Sequence, residues 1–412
     1  MPLHRTFSIL GTCPFRHVAG KGKDFNMRRI GIFGGTFNPI HQGHLHLAAE
    51  FYKQLGLSEV LLIPDYTPPH KAHDNLADGV DRYNLCRIAA YGLPYIRVSD
   101  YEIRRQTKSY TVYTLEHFSD LHPNAELCLL MGSDMFYTVD TWHDAARIFE
   151  LATLCAGARN AGEYEKLTAY AKVLEQKGAK TRVVNIEALS VSSTDIREAI
   201  INGNPLPQGL PEKVKRYIDT VRLYTDETAE VLSYKALLEQ MLSPKRRFHS
   251  LCVAKEAAAL AIIFGADASK AYTAGLLHDI AKDMSLEQQL QMLAKFDIIL
   301  SDAESRSKQL WHAMIGAEYV RRELGINDAE IINAIRYHTT ARRGITLLEK
   351  IIYLADCISF ERDYPDAAII RDKINDSLDS AMQCALSLTI QSLAKRDSLI
   401  HIDTIEAYNA LC

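Results

Sequence analysis

Two sets of residues in this 412-residue sequence combine types and spacing that chemistry can use. The first is the run Gly31-Ile32-Phe33-Gly34-Gly35-Thr36-Phe37-Asn38-Pro39-Ile40-His41-Gln42-Gly43-His44-Leu45. Paired glycines let a backbone approach a polyphosphate, and the start of the helix that follows offers free N–H groups and a positive dipole end. His41 and His44, three residues apart, share one face of the first helical turn and can donate to phosphoryl oxygens as charge builds there. A lone histidine at such a place is more often a simple helix cap, and His46 keeps that interpretation. Strand, glycine turn and histidine pair together point to an anion site. A second anion-binding helix start is expected at Ser192-Ser193-Thr194-Asp195-Ile196-Arg197, where Ser192 and Asp195 are spaced as a capping box and Arg197 follows one turn in.

The second set lies downstream. From Ala229 onward there are five histidines, of which His249, His278, His312 and His338 fall in helical patterns beside acidic residues, while His401 stands apart. Asp279 adjoins His278 in Leu277-His278-Asp279-Ile280-Ala281-Lys282, and Asp356 interrupts an apolar run in which a carboxylate is costly unless paired or ligating. Imidazoles and carboxylates projecting from several facing helices suit one or two divalent cations. A cation pair about 3.5 to 4 Å apart can clamp a phosphoryl group during in-line attack.

The elements that must position these groups differ between the halves. From Arg28 to about Tyr224, β-rich runs at 29–33, 59–63, 95–99, 126–131, 152–156 and 182–186 alternate with amphipathic stretches at 43–55, 81–91, 111–121 and 164–176. This alternation predicts a doubly wound α/β domain with a parallel sheet, whose ligands sit beyond the carboxyl ends of the strands. Strand signals then stop, with the boundary near Thr225–Glu230. Helical periodicity follows at 233–242, 246–264, 269–281, 286–295, 308–324, 328–337 and 347–358, with a C-terminal pair beyond. Capping boxes are expected at Asn327 with Glu330 and at Thr346 with Glu349. The second half is therefore expected to be an all-α helical bundle, and the division to run 1–27 (a disordered extension), 28–225 and 226–412.

The bulk numbers narrow the function classes. A formal net charge of −4 argues against broad binding to nucleic acid or an anionic membrane and favours small anionic ligands. The 8 cysteines are scattered without a CxxC pair, and no apolar run reaches the roughly 18 residues of a membrane span. The first 26 residues lack the apolar core of a signal peptide, so a cytoplasmic protein is expected.

The segment 28–224 resembles the HxGH nucleotidyltransferase superfamily and, in detail, the bacterial nicotinate-nucleotide adenylyltransferases. The resemblance is carried by Gly34-Gly35-Thr36-Phe37-Asn38-Pro39, the two histidines, Pro68-Pro69-His70-Lys71, Ser109-Tyr110-Thr111, Met131-Gly132-Ser133-Asp134 with Trp142, and Ser192-Ser193-Thr194-Asp195-Ile196-Arg197. It implies transfer of AMP from ATP to nicotinate mononucleotide, with Mg²⁺ as counter-ion and no protein nucleophile. It further implies that His41 and His44 hold the ATP phosphates, and that Arg197 with Ser192, Ser193 and Thr194 holds the β and γ groups. Gly132 and Asp134 would bind ribose, Trp142 would stack on the pyridine ring, and Lys71 would join the binding loops. An ordinary half-buried Trp142 and a solvated Lys71 are the plainer alternatives.

The segment 230–412 resembles the HD phosphohydrolases, and more closely the YqeK-type symmetrical hydrolases of diadenosine tetraphosphate. Arg247-Phe248-His249-Ser250, the run from Leu277 to Asp283, His338-Thr339-Thr340 and Ala355-Asp356 carry it. It implies a pair of divalent metals, iron or similar, with Asp279 bridging, His249, His278 and Asp356 on one ion and His312 and His338 on the other. Lys282 and Arg362 are candidate phosphate contacts, against the plainer solvated alternative. A mixed N/O donor set accepts Fe, Mn, Co or Zn alike. Three alternatives stay open: another nucleotidase or cyclic-dinucleotide phosphodiesterase, a non-catalytic nucleotide sensor, and preference of the first half for the amide mononucleotide. The expected partners are small nucleotides, with homo-oligomerisation undecided.

Overall fold

The computed structural model describes residues 28–66 and 75–412. The extension expected at 1–27 and the run Pro68-Pro69-His70-Lys71 lie outside the described residues. The six expected strands are present as β1 (Arg28–Gly35), β2 (Glu59–Pro64), β3 (Ile96–Val98), β4 (Ala125–Gly132), β5 (Ala152–Ala158) and β6 (Lys180–Asn185). They form one sheet in the order β3-β2-β1-β4-β5-β6, and every neighbouring pair is parallel. Helices cover both faces, so the central strands are apolar throughout. In β2, Val60 and Leu62 enter one core, whereas Leu61 and Ile63 enter the other. Gly31 inside β1 is closely packed: a Cβ there would lie 2.8 Å from Leu130 Cδ1 and 2.9 Å from Leu57 Cδ1, so both side chains would have to shift.

The strand order reverses direction between β1 and β4, which makes the space beyond their carboxyl ends the switch-point crevice. Gly34 and Gly35 end β1 there, and Gly132 ends β4. The helix Gln42–Leu55 leaves the same edge. It buries Leu45, Ala48, Phe51 and Leu55, three or four apart, and stops at Gly56, whose φ of 60° suits glycine.

Beyond Tyr224 the regular elements among the described residues are all helices. The long helix Pro244–Phe264 has proline in its first turn, where no N–H is missed, and buries Ala254, Ala257, Ala258, Ala259 and Ala261. These small side chains let the helix Ala268–Leu277 come close. A Cβ on its Gly275 would stand 2.9 Å from Ala254 Cα. Several boundaries differ from the sequence expectation. The helices expected to run to 281 and 337 stop at Leu277 and Arg336, leaving His278, Asp279 and His338 in the turns that follow. Asp328, not Asn327, caps the helix Ala329–Arg336, its carboxylate accepting from Glu330 and Ile331. Thr346 does cap at Glu349. The C-terminal pair is three helices, because Ser377 and His401 each start a new one: Pro365–Ile374, Leu378–Lys395 and Ile402–Leu411. No helix among the described residues is long and apolar enough to cross a membrane.

The halves share a core. One cluster runs from Phe33 and Leu62 through Val214 and Ile218 to Val253 and Leu260. At this junction the helix Gly79–Ala90 lies along Pro244–Phe264. Arg87 donates to both Glu256 oxygens at 2.8 and 2.7 Å, and Lys255 pairs with Asp81 at 2.8 Å.

Candidate active sites

His41 caps the helix Gln42–Leu55. Its Nδ1 accepts from Gly43 N–H at 3.1 Å, and His44 Nδ1 accepts from His41 N–H at 3.3 Å. Both Nδ1 atoms are therefore acceptors, so each neutral ring carries its proton on Nε2. The rings stack with centroids 3.8 Å apart. Burial lowers the pKa of His41 to about 4, and burial reinforced by His41 lowers that of His44 to about 3. The outcome is two neutral N–H donors at a helix start.

The far end of the domain folds back onto this turn. Ser193 Oγ donates to Pro39 O at 2.9 Å, and Arg197 Nη1 donates to Asn38 O at 2.7 Å. Arg197 also reaches Thr194 Oγ1 at 3.4 Å, while Ser192 caps the helix by accepting from Asp195 N–H at 3.1 Å. Phe37, at φ 48°, turns its ring edge-on to His44. A Cβ at Gly35 would lie 3.0 Å from that ring and would press on it.

Arg82, on the helix Gly79–Ala90, is a residue near the site that sequence reasoning missed. Its side chain is fully buried and donates to Asp65 at 3.0 Å, Thr36 O at 2.9 Å, Ala77 O at 3.0 Å and Tyr66 O at 3.1 Å. Thr36 Oγ1 donates to the other Asp65 oxygen at 2.9 Å. The cation thus ties the Gly34–Phe37 loop to the end of β2. Ser109 Oγ accepts from Tyr66 N–H at 2.9 Å, and Thr111 opens the helix Thr111–Leu121. Asp134 and Trp142 follow β4, and Tyr110 precedes the helix Thr111–Leu121. Tyr110 lies 4.4 Å from the His143 ring, exposed Asp134 is 3.4 Å from Arg159, and half-buried Trp142 donates to Thr138 at 3.4 Å. A cleft of about 510 Å³ beyond β5 and β6 is lined by His46, Glu50, Arg159, Asn160, Asn185 and Glu187.

The second cluster gathers all six expected ligands. His249 comes from Pro244–Phe264, His312 from Trp311–Arg322, Asp356 from Leu347–Ile358, and the other three from the turns after two helix ends. His278 Nδ1 and His338 Nδ1 each bond the carbonyl three residues back, Gly275 O and Ile335 O, at 2.7 Å. A carbonyl only accepts, so both rings present an Nε2 lone pair to the cluster. His278 Nε2 is buried without a hydrogen-bond partner. One potential ligand atom each from His249, His278 and Asp356 lie within 4.8 Å of one another, as do those from His278, Asp279 and His338. His278 is common to both groups. His312 Nε2 stands beside the second, 3.1 Å from Asp279 Oδ1 and 3.2 Å from His338 Nε2. Asp279 Oδ2 lies 3.8 Å from His278 Nε2 and 3.5 Å from Arg246 Nη1. Buried lone pairs in a mixed N/O set suit divalent transition metals.

Cations of the protein border the cluster. Lys282 Nζ is 2.8 Å from His312 Nε2, and Arg362 Nη2 donates to Asp356 at 2.6 Å. Both point inward, unlike the solvated alternative. Burial would raise the pKa of the Asp279 carboxyl, but His278, His312 and His338 outweigh it and hold it well below the usual range. Burial pushes His278 and His312 down to about 4. At His249 burial acts in the same direction, yet Asp356 and Glu361 overcome it and raise that pKa to about 9. Glu361, 2.5 Å from His249 Nδ1, was not legible in the sequence, and neither was Arg246, 3.5 Å from Asp279. His401, as expected, lies outside the cluster and caps the last helix.

Residues 32–199 match the cytidylyltransferase-like family model, and 246–361 match the HD domain. The "Probable nicotinate-nucleotide adenylyltransferase" of Clostridium tetani is 36% identical over 48% of this chain and 100% of its own length. The "Probable nicotinate-nucleotide adenylyltransferase/Ap4A hydrolase" of Mycoplasma genitalium is 29% identical over 80% of this chain and 87% of its own. A crystal structure of an HD superfamily hydrolase from Clostridium acetobutylicum, described as involved in NAD metabolism, is 34% identical over 44% of this chain and 96% of that one, with a TM-score of 0.43. The chain belongs to the nicotinate-nucleotide adenylyltransferase family and carries an HD domain in its second half.

Proposed function

We propose that the chain is a bifunctional nucleotide enzyme, divided near residue 225, whose first half transfers AMP from ATP to nicotinate mononucleotide and whose second half cleaves diadenosine tetraphosphate. The observation that carries the first activity is the convergence of the His41–His44 donor pair with Ser193 and Arg197 on the Asn38-Pro39 turn. A phosphate oxygen of nicotinate mononucleotide attacks the α-phosphorus of ATP, a new P–O bond forms, and pyrophosphate leaves with the electron pair of the broken bond. No protein nucleophile is required, so catalysis is positioning and charge stabilisation. The Nε2–H groups of His41 and His44 donate to the phosphate oxygens. Arg197 with Ser192, Ser193 and Thr194 holds the outer phosphates. Gly34, Gly35, Thr36 and Phe37 shape the phosphate loop, Gly132 and Asp134 take the ribose, and Trp142, Lys71, Ser109, Tyr110 and Thr111 serve the pyridine nucleotide. Mg²⁺ is the counter-ion of the polyphosphate.

In the second half, water cleaves the central phosphoanhydride of diadenosine tetraphosphate and two ADP are released. His249, His278 and Asp356 would hold one divalent cation, His312 and His338 a second, and Asp279, with Oδ1 3.1 Å from His312 Nε2 and Oδ2 3.8 Å from His278 Nε2, would serve both. When bound, such a pair, iron by this proposal, supplies Lewis acidity toward phosphoryl oxygens and lowers the pKa of water. Lys282 and Arg362 lie at hand for the departing phosphates. All seven described cysteines are free, four of them buried, which supports a reducing, cytoplasmic setting.

Purified protein incubated with Mg²⁺, ATP and either mononucleotide is expected to release pyrophosphate faster with the acid than with the amide. With Fe²⁺ or Mn²⁺ and diadenosine tetraphosphate it is expected to yield ADP alone. A product mixture of ATP and AMP would contradict symmetrical cleavage, and tight binding without turnover would favour the sensor alternative.

A further inference from the structure

Resting on the metal reading above, the geometry points to Arg104 of the first half as a positioning residue for the metal cluster of the second. The helix Leu347–Ile358 carries Asp356 and leads into the loop 359–363, whose side chains divide by direction. Glu361 and Arg362 turn inward. Glu361 Oε1 lies 2.5 Å from His249 Nδ1, and Arg362 Nη2 donates to Asp356 Oδ1 at 2.6 Å. Phe360 and Asp363, on either side of that pair, turn toward the nucleotidyltransferase half. The Arg104 guanidinium lies over the Phe360 ring at 4.8 Å, and its Nη1 is 3.8 Å from Asp363.

The Asp363 carboxylate is 93% exposed, so that ion pair is screened and weak. The ring contact is the substantial one. Arg104 is itself fixed from its own side, donating to Asp100 at 2.5 Å from a short helix, Tyr101–Arg105, that buries Glu102 and Ile103. Across the loop, Arg371 donates to the carbonyls of Ile358, Ser359 and Arg362. The loop is thus gripped by one arginine from each half. Phe360 is the residue next to Glu361, so holding its ring lowers the entropy cost of keeping the Glu361 carboxylate on His249. A carboxylate on the second nitrogen of a ligating histidine sets the ring's orientation and its basicity. The metal affinity of the second half therefore includes a contribution from a residue of the first.

The test uses the full chain and Co²⁺, whose visible absorption reports its coordination. Arg104→Ala and Phe360→Ala are each expected to raise the Co²⁺ dissociation constant by about ten-fold, the lower end of what supporting partners of a ligand contribute. Arg104→Lys, which keeps a cation over the ring, is expected to restore most of the affinity. Pyrophosphate release by the first half is expected to stay at the wild-type rate in all three. Unchanged Co²⁺ affinity in Arg104→Ala would overturn the proposal. So would losses of affinity, thermal midpoint and transferase rate that run in parallel without rescue by lysine, because they describe a structural residue only. Failure of the wild-type protein to take up Co²⁺ would instead overturn the metal reading, and this proposal with it.

Discussion

The same side chain serves the two sites in opposite protonation patterns, and the backbone decides which. At His41 and His44, main-chain N–H groups donate to Nδ1 and leave a proton on Nε2. At His278 and His338, Nδ1 bonds a carbonyl and leaves a lone pair on Nε2. One arrangement suits donation to a phosphate and the other suits ligation of a cation. Burial holds His41 and His44 at about 4 and about 3, against the ordinary 6.5. Below pH 6.5 the unfolded chain binds protons that the folded pair refuses, so their stabilising contribution is present above that pH and fades as pH falls toward 4. Long-range ¹H–¹⁵N spectra of the free protein at pH 6 are expected to show both rings neutral with the proton on Nε2. A ring titrating near its ordinary value would contradict this. These histidines were legible because their types and spacing carry meaning within one short run. Arg82 and Glu361 were not, because a charged residue in a helix or loop reads as solvent-facing. Arg82 is buried only because Asp65 and carbonyls from distant segments close around it.

Element by element, what the sequence displays is periodicity, and what it hides is where an element stops. Every strand of the sheet was legible as a β-rich run, and the long helices were legible from their spacing. The end of Ala268–Leu277 was not. The turn after it is held by Ile280 N–H to Leu277 O at 3.1 Å and Lys282 N–H to Asp279 O at 2.9 Å, tighter i to i+3 bonds that extend no helical pattern. That turn places His278 and Asp279 in the cluster, so its position depends on how closely Ala268–Leu277 lies on Pro244–Phe264. Gly275→Ala is expected to destabilise the protein by about 1 to 3 kcal/mol, because the new methyl meets backbone instead of a movable side chain. Urea denaturation measures it, and an unchanged midpoint would show that the helices can separate freely.

Seen whole, the sheet-containing half and the helical half are joined by one core cluster that spans both. The change from strands to helices was legible because strand signals cease after the sheet; the contact between the halves was not. Asp81, Arg87, Lys255 and Glu256 look like ordinary charges on amphipathic helices, and only tertiary contact makes them partners. Arg87 and Glu256 are 16% and 6% exposed, so removing one leaves the other charge buried and unpaired. Glu256→Ala is expected to cost about 3 to 5 kcal/mol, with part recovered in the Arg87→Ala, Glu256→Ala double variant. Equal and additive losses would mean that the pair is not coupled.

On the proposed function the two chemistries use separate groups, and one paired assay tests this directly. Pyrophosphate release and diadenosine tetraphosphate hydrolysis are measured on the same preparations of wild-type, His44→Ala and Asp279→Ala protein. His44→Ala is expected to lower the first rate by at least about 100-fold and leave the second unchanged. Asp279→Ala is expected to abolish the second and leave the first. Loss of both activities from either single change, in protein that remains folded, would contradict the account.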